Sequence, residues 1–173
     1  MLKKTNLFAW EGGKNVREAQ IVHRYQLVDR EDYSKYNKLS GLITSLVAML
    51  RKLPANDGDR IRMTEMLLDK LHALGLIPSV QSLDQCVQIP TSAFCRRRLS
   101  TVLVYNKFVE RISEATKFVQ QGHVALGPNV VTNPATLITR DMEDLIHWAE
   151  GSKIKRKVHE FANTLDDYDM DGM

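Results

Sequence analysis

Apolar residues recur at helical spacing in two long stretches of the first half of the chain. Tyr36, Leu39, Ile43, Leu46, Val47 and Leu50 predict an amphipathic helix from about Asp29. Asp29 is a candidate N-cap, and Asp32 stands in the first turn, where a carboxylate favours the positive end of the helix dipole. Pro54 ends this helix and Asn56-Asp57-Gly58 supplies a turn. Ile61, Thr64, Leu67, Leu68, Leu71 and Leu74 predict a second helix from about Asp59, stopped at Gly75. Two such helices joined by a short turn are expected to pack as an antiparallel pair. Residues 1–28 show no clean period. They carry Phe8, Trp10 and Tyr25 and read as an extended arm lying on its own domain or on a partner.

The pattern changes after a linker at 76–91, which holds Pro78, Pro90 and a candidate short strand at Val87–Ile89. Ser92 can cap a short turn through Cys95. Leu99, Val102 and Leu103, then Ile112, Ala115, Phe118 and Val119, mark two short helices, the second closed by Gly122. Residues 123–126 alternate polar and apolar and read as a strand. Gly127-Pro128-Asn129 turns the chain, and Val130-Val131 and Leu137-Ile138 are expected to complete a small twisted sheet, with Asn133-Pro134 as a second turn. Residues 142–149 fit either period. A last helix begins at Ser152, with Ile154, Val158, Phe161 and Leu165 on one side. The fold class expected is α+β, with an arm at 1–28, a helical region at 29–91, a compact helix–helix–hairpin unit at 92–149, and a C-terminal helix with an acidic tail at 150–173.

Charge sharpens this division. The 173 residues carry a net charge of only +3. Residues 1–93 hold 13 Lys/Arg against 10 Asp/Glu, residues 94–160 hold 11 against 7, and residues 161–173 hold four aspartates and no base. A basic body is masked by an acidic end, which suggests a nucleic-acid surface plus a tail that is solvated or docks elsewhere. Cys86 and Cys95 form no C-x-x-C and have no metal-ligand spacing with the histidines, so buried free thiols in a reducing compartment are expected. No apolar run reaches membrane-spanning length and no signal-type stretch follows Met1-Leu2-Lys3-Lys4, so an intracellular protein is expected.

The sequence carries no G-x-S-x-G, no Walker loop and no H-E-x-x-H, so neither enzymatic activity nor a cofactor or metal is expected. The bases say more. Arg96, Arg97 and Arg98 step round a helix by about 100° each and cannot share one face, so at least one points at solvent or a partner. Lys107, Arg111, Lys117, Gln121 and His123 follow on elements expected to pack together, which favours a continuous phosphate-binding face. Arginine suits that task because its planar fork bonds phosphate bidentately. The plainer alternative is that one arginine clamps a carboxylate and the others are solvated. Lys153, Lys155, Arg156 and Lys157 occupy the first turn of the last helix, where cations oppose the dipole at about 0.3–1 kcal/mol each. An anion, either RNA phosphate or an acidic partner segment, is expected there; the plainer alternative is surface charge offset by Glu150 and Glu160. The run also has the look of a weak nuclear-localisation patch.

Arg97-Arg98-Leu99, Glu114-Ala115 and Gly122-His123-Val124 together resemble the signature of the S-four (S4) RNA-binding domain, the alpha-L motif, over residues 96–138. Such domains also ride on pseudouridine synthases, tyrosyl-tRNA synthetases and heat-shock ribosome-binding proteins. Arg30-Glu31-Asp32-Tyr33-Ser34-Lys35-Tyr36-Asn37, Leu67-Leu68-Asp69-Lys70-Leu71, Phe94-Cys95-Arg96-Arg97-Arg98-Leu99 and Met142-Glu143-Asp144 resemble the nucleolar Imp-three branch of that family, from about Phe8 to Asp169. The resemblance implies a strand within 142–149. It implies a non-enzymatic RNA-binding assembly factor of the nucleus and nucleolus, within the U-three (U3) small nucleolar ribonucleoprotein of the small-subunit processome. Its implied partners are U-three snoRNA and pre-rRNA, whose pairing it would promote and stabilise, the scaffold protein Mpp-ten and other processome proteins. Two positions depart from the family pattern. Arg111-Ile112 stand where the second helix usually has a Ser or Thr cap and a base, and the hairpin turn is Gly127-Pro128-Asn129 rather than Val-Asn-Gly. A mature small-subunit ribosomal protein of the same family is the first alternative, disfavoured by the modest charge and by Asp166-Asp167-Tyr168-Asp169-Met170-Asp171. An enzyme with an appended RNA module and a protein adaptor with a basic face are the others.

Overall fold

The computed structural model describes residues 14–162; Phe8, Trp10, Leu165 and the aspartates of the tail lie outside them. The chain divides into two units. The first extends to His72 and includes Leu76–Arg96, and the second takes Ala73–Gly75 and the chain from Arg97. The division falls inside the arginine triplet rather than at residue 92.

The first unit contains α1 (Lys14–Tyr25), α2 (Arg30–Lys52), α3 (Gly58–Ala73, its last residue already in the second unit), a 3-10 turn at Leu83–Cys86, and α4 (Thr91–Arg96). Helix α1 corrects the expectation of an extended arm through residue 28. Its apolar stripe is thin: Val16 is exposed and only Tyr25, with Leu27 just beyond, reaches the core. Tertiary contact with α2 and α4 holds it, since isolated helices of this length are marginal. Its end is also disguised. The Gln26 and Leu27 amides bond the carbonyls of His23 and Val22 in a left-handed C-terminal turn, at a φ of 47° on Gln26 where glycine is usual.

Helix α2 buries Tyr36, Val47 and Leu50. Its main partners are α4, the 3-10 turn and α1, not α3, so the expected antiparallel pair is not the organising contact. Tyr36 stacks on Phe94 of α4 with ring centres 5.7 Å apart. Val87–Ile89 is not a strand. The carbonyls of Val87 and Ile89 accept from the Thr44 and Ser40 hydroxyls of α2, at 3.2 and 2.5 Å, so side chains satisfy the backbone that a neighbouring strand would have paired. Asp29 occupies the α2 N-cap without a side-chain cap bond. Cys86 and Cys95 are free and buried, and burial raises the pKa of the Cys86 thiol.

The second unit contains α5 (Leu99–Tyr105), α6 (Ile112–Gln120), β1 (Val124–Leu126), β2 (Asn129–Val130), α7 (Arg140–Glu143), β3 (Ile146–Trp148) and α8 (Lys153–Phe161). Leu99, Val102, Leu103, Ala115, Val119, Val124, Ile138 and Ile146 form one core. Phe108 and Phe118 meet Trp148 edge-on at 5.6 and 6.0 Å. The sheet is antiparallel in the order β2-β1-β3, with Ala125 paired to Val130 on one side and His147 on the other. Leu137-Ile138 is not one of its strands. That segment turns to the start of α5, where Leu137 bridges Arg98 and the Ile138 amide bonds the Arg97 carbonyl at 2.8 Å. The third strand is β3, inside the stretch that fitted either period. Ser152 caps α8 through the Ile154 amide, but the expected apolar side of that helix is not buried, and Phe161 is 94% exposed.

His147 on β3 joins the sheet to its hairpin turn. Its Nδ1 lies 2.9 Å from the Trp148 carbonyl oxygen and its Nε2 2.9 Å from that of Gly127. Carbonyls only accept, so both contacts hold together only in the imidazolium, which carries a proton on each nitrogen. The Trp148 bond, then the Gly127 bond, raise the His147 pKa above 6.5, with Glu150 adding and Lys155 opposing. A pKa raised on folding gives stability that is complete below the unfolded value and is lost as pH rises through the folded value. We expect the His147 ring resonances to titrate with a midpoint above 6.5 and the thermal stability of the unit to fall as pH rises through that midpoint. A midpoint at or below 6.5 would contradict the clamp.

Candidate nucleic-acid interface

The fold sorts the expected site residues into those that face outward and those that build the protein. Arg98 is 2% exposed and Arg97 is half-buried. Arg97 Nε and Nη2 donate to the Ile138 carbonyl at 2.9 and 2.7 Å, and its Nη1 pairs with Glu143. Arg97 also lies over Gly75, where an added Cβ would come 2.9 Å from Arg97 Cζ. Burial and these bonds remove Arg97 and Arg98 from the expected phosphate face. Their segment is extended between α4 and α5 and tied to Leu137-Ile138, which turns both side chains into the unit. Arg96, the last residue of α4, is exposed on the first unit.

His123 is likewise part of the frame. Its Nδ1 is 3.0 Å from Ser152 Oγ, and its ring meets Phe118 edge-on, so it ties the end of α6 to the start of α8. Lys155 bonds Glu150 at 2.5 Å, and this bond holds the Glu150 carboxyl below its usual pKa. One of the four cations of the last helix therefore has its carboxylate within the fold, while Lys153, Arg156 and Lys157 are exposed.

Lys107, Arg111, Lys117 and Gln121 are exposed. Arg111, Glu114, Lys117 and Gln121 follow one another at three- or four-residue steps and share the outer face of α6, while Ala115 and Val119 fill the core beneath. Arg111 holds the N-cap position but makes no side-chain cap bond, so its guanidinium is not engaged by the helix end. Lys107 ends α5. The Lys107 amide bonds Val104 and the Phe108 amide bonds Leu103, the same left-handed turn that Gly122 makes after α6. Lys107 does so at a φ of 62°, a conformation that costs a side-chain-bearing residue about 1–2 kcal/mol. Changing Lys107 to Gly is expected to raise the unit's melting temperature while weakening RNA binding. Higher stability with unchanged RNA affinity would exclude Lys107 from the interface.

The first unit adds cations that sequence reasoning missed. Arg17, Arg24 and Arg30 line, together with the expected Arg96, a groove of about 1190 Å³ bounded by α1, α2 and residues 87–92, with Glu18 bonded to Arg30 at 2.7 Å. The seven-residue spacing of Arg17 and Arg24 was the available signal, hidden by reading 1–28 as aperiodic.

Comparison with known proteins agrees with this division. The S4 domain family matches residues 97–144, and the ribosomal protein S4/S9 N-terminal domain family matches residues 1–96. Their boundary is the peptide bond at which the two units divide. The human U3 small nucleolar ribonucleoprotein protein IMP3 is 46% identical over 172 residues, covering 99% of this chain and 94% of its own. The Saccharomyces cerevisiae protein of that name is 39% identical over 170 residues, covering 98% and 93%. The small ribosomal subunit protein uS4 of Hyperthermus butylicus is more distant, 29% identical over 152 residues. On these identities over nearly its whole length, the chain belongs to the S4-domain family of the U3 small nucleolar ribonucleoprotein protein IMP3.

Proposed function

We propose that the protein is a non-enzymatic RNA-binding component of the U3 small nucleolar ribonucleoprotein, acting in the nucleolus in assembly of the small ribosomal subunit. It promotes and stabilises pairing of U3 snoRNA with pre-rRNA, held in place by the scaffold Mpp-ten. The observation that carries the RNA-binding reading is the outer face of α6, where Arg111, Lys117 and Gln121, with Lys107 before them, stand clear of the core of an S4 unit. Phosphate contacts need charges held on a rigid frame, and this face has one. Lys153, Arg156 and Lys157 on α8, and Arg96 on the first unit, are the further phosphate contacts proposed.

Exchanging Arg111 and Lys117 together for Glu tests the reading. The double variant should keep its fold, because both side chains are outside the core. It should bind a U3–pre-rRNA duplex more weakly, and the slope of log affinity against log salt should shrink by about 0.7–0.9 for each phosphate no longer neutralised. An unchanged slope in the folded variant would overturn the site.

A further inference from the structure

Helix α2 carries two apolar stripes, and the fold uses one. Tyr36, Val47 and Leu50 face the core, with Ser40 bonded to Ile89 along the same side. The second stripe is Leu39, Leu42, Leu46 and Met49, continued by Leu53 at the C-cap. Its steps are three, four, three and four, the spacing of a coiled-coil seam, and Leu39 to Met49 spans about 15 Å of helix. Leu42 is 66% exposed and Met49 56% exposed, with Leu39 and Leu53 also open. Helix α3 follows α2 in sequence but does not cover the stripe, and itself leaves Ile61, Met63 and Met66 exposed. Contiguous exposed apolar surface rimmed by polar residues is the kind of surface that marks an interaction site.

The spacing and the flank say what fits. A seam with this repeat receives the knobs of another helix. Lys38, Ser45 and Lys52 stand one heptad apart along the open flank beside the stripe, all exposed; Glu31, one heptad before them, lies ahead of the stripe and pairs with Lys35 at 3.9 Å. The other flank, Tyr36, Ile43 and Leu50, is turned towards the core. We propose that this stripe is a docking site for a partner protein's amphipathic helix, one with a leucine-type seam and carboxylates along the edge that meets Lys38 and Lys52. The helix adds its seam to Leu39, Leu42, Leu46 and Met49, and the lysines fix its direction and register. The site lies on the first unit and does not depend on RNA binding by the S4 unit.

The probe is a 21-residue labelled peptide with Leu at the a and d positions and Glu at e and g, whose own like charges oppose self-pairing. Fluorescence anisotropy with the full chain should show saturable binding that a scrambled peptide of the same composition lacks. Changing Leu42 and Met49 together to Gln should weaken binding at least tenfold, while circular dichroism and RNA affinity stay unchanged. Changing Lys38 and Lys52 to Glu should weaken it several-fold at low salt, with the difference shrinking as salt rises. No saturable binding, equal binding of the scrambled peptide, or insensitivity to the Leu42/Met49 pair would overturn the proposal. So would self-association of the chain that the same pair abolishes, which would make a second copy the occupant. Binding that appears only after residues 1–13 are deleted would assign the stripe to the chain's own N-terminus and overturn it too.

Discussion

Replacing Arg97 by Ala is expected to destabilise the second unit by about 2–3 kcal/mol. The guanidinium gives two bonds to the Ile138 carbonyl and an ion pair to Glu143, and all three anchor the 137–143 segment to the start of α5. Without it, the carbonyl and the carboxylate are left without this partner at a half-buried site, where an unpaired polar group costs more than a matched pair gains. The side chains of Arg97 and Glu143 are 15% and 27% exposed, so water offsets part of the cost and the figure stays below that for a fully buried pair. Lysine should restore less than half, because a single ammonium cannot fork between the carbonyl and the carboxylate. Urea unfolding of the three proteins measures this. A fully stable Arg97→Ala protein with impaired RNA binding would return Arg97 to the interface.

Leu103→Ala should cost about 2–5 kcal/mol, the usual range for a leucine truncated in a packed core. Leu103 is completely buried among the residues of α5, α6 and the sheet. Tyr105, two residues along the same helix, is 81% exposed, and its change to Ala should stay within about 0.5 kcal/mol. Thermal unfolding of the two variants separates a core contribution from a general effect of altering α5. Comparable destabilisation at both positions would contradict the packing described for this helix.

The α+β class, helices α2, α3, α5 and α6 and the β1–β2 hairpin were legible because each rests on local chemistry: periodic apolar residues, a proline or glycine stop, a two-residue turn. Helix α1 was not, because its apolar stripe is thin and its stop is Gln26 at positive φ instead of glycine. Apolar pattern alone puts a strand at Leu137-Ile138, which makes only an isolated bridge to Arg98; the strand that pairs with β1 is Ile146–Trp148, within the stretch where periodicity is ambiguous and the family resemblance implies a strand. Which of the candidate cations face outward was not legible residue by residue. Three consecutive arginines look alike in a sequence, yet one lies on the first unit's surface and two are structural, because the boundary between units runs through them. The expectation that all three lie on one helix is not met, since α4 ends at Arg96 and Arg98 is extended; the bonds to Ile138 and Glu143 turn Arg97 inward, and Arg98 is buried.

If RNA lies on the outward face of α6 and not on the arginine pair that precedes α5, crosslinking will separate the two surfaces. Ultraviolet crosslinking of the full chain to a U3–pre-rRNA duplex, with the attached peptides mapped by mass spectrometry, is the direct test. Crosslinks are predicted on residues 105–121, and none on the segment of Arg97 and Arg98. Crosslinks at Arg97 or Arg98 with residues 105–121 unmarked would contradict this placement of the RNA.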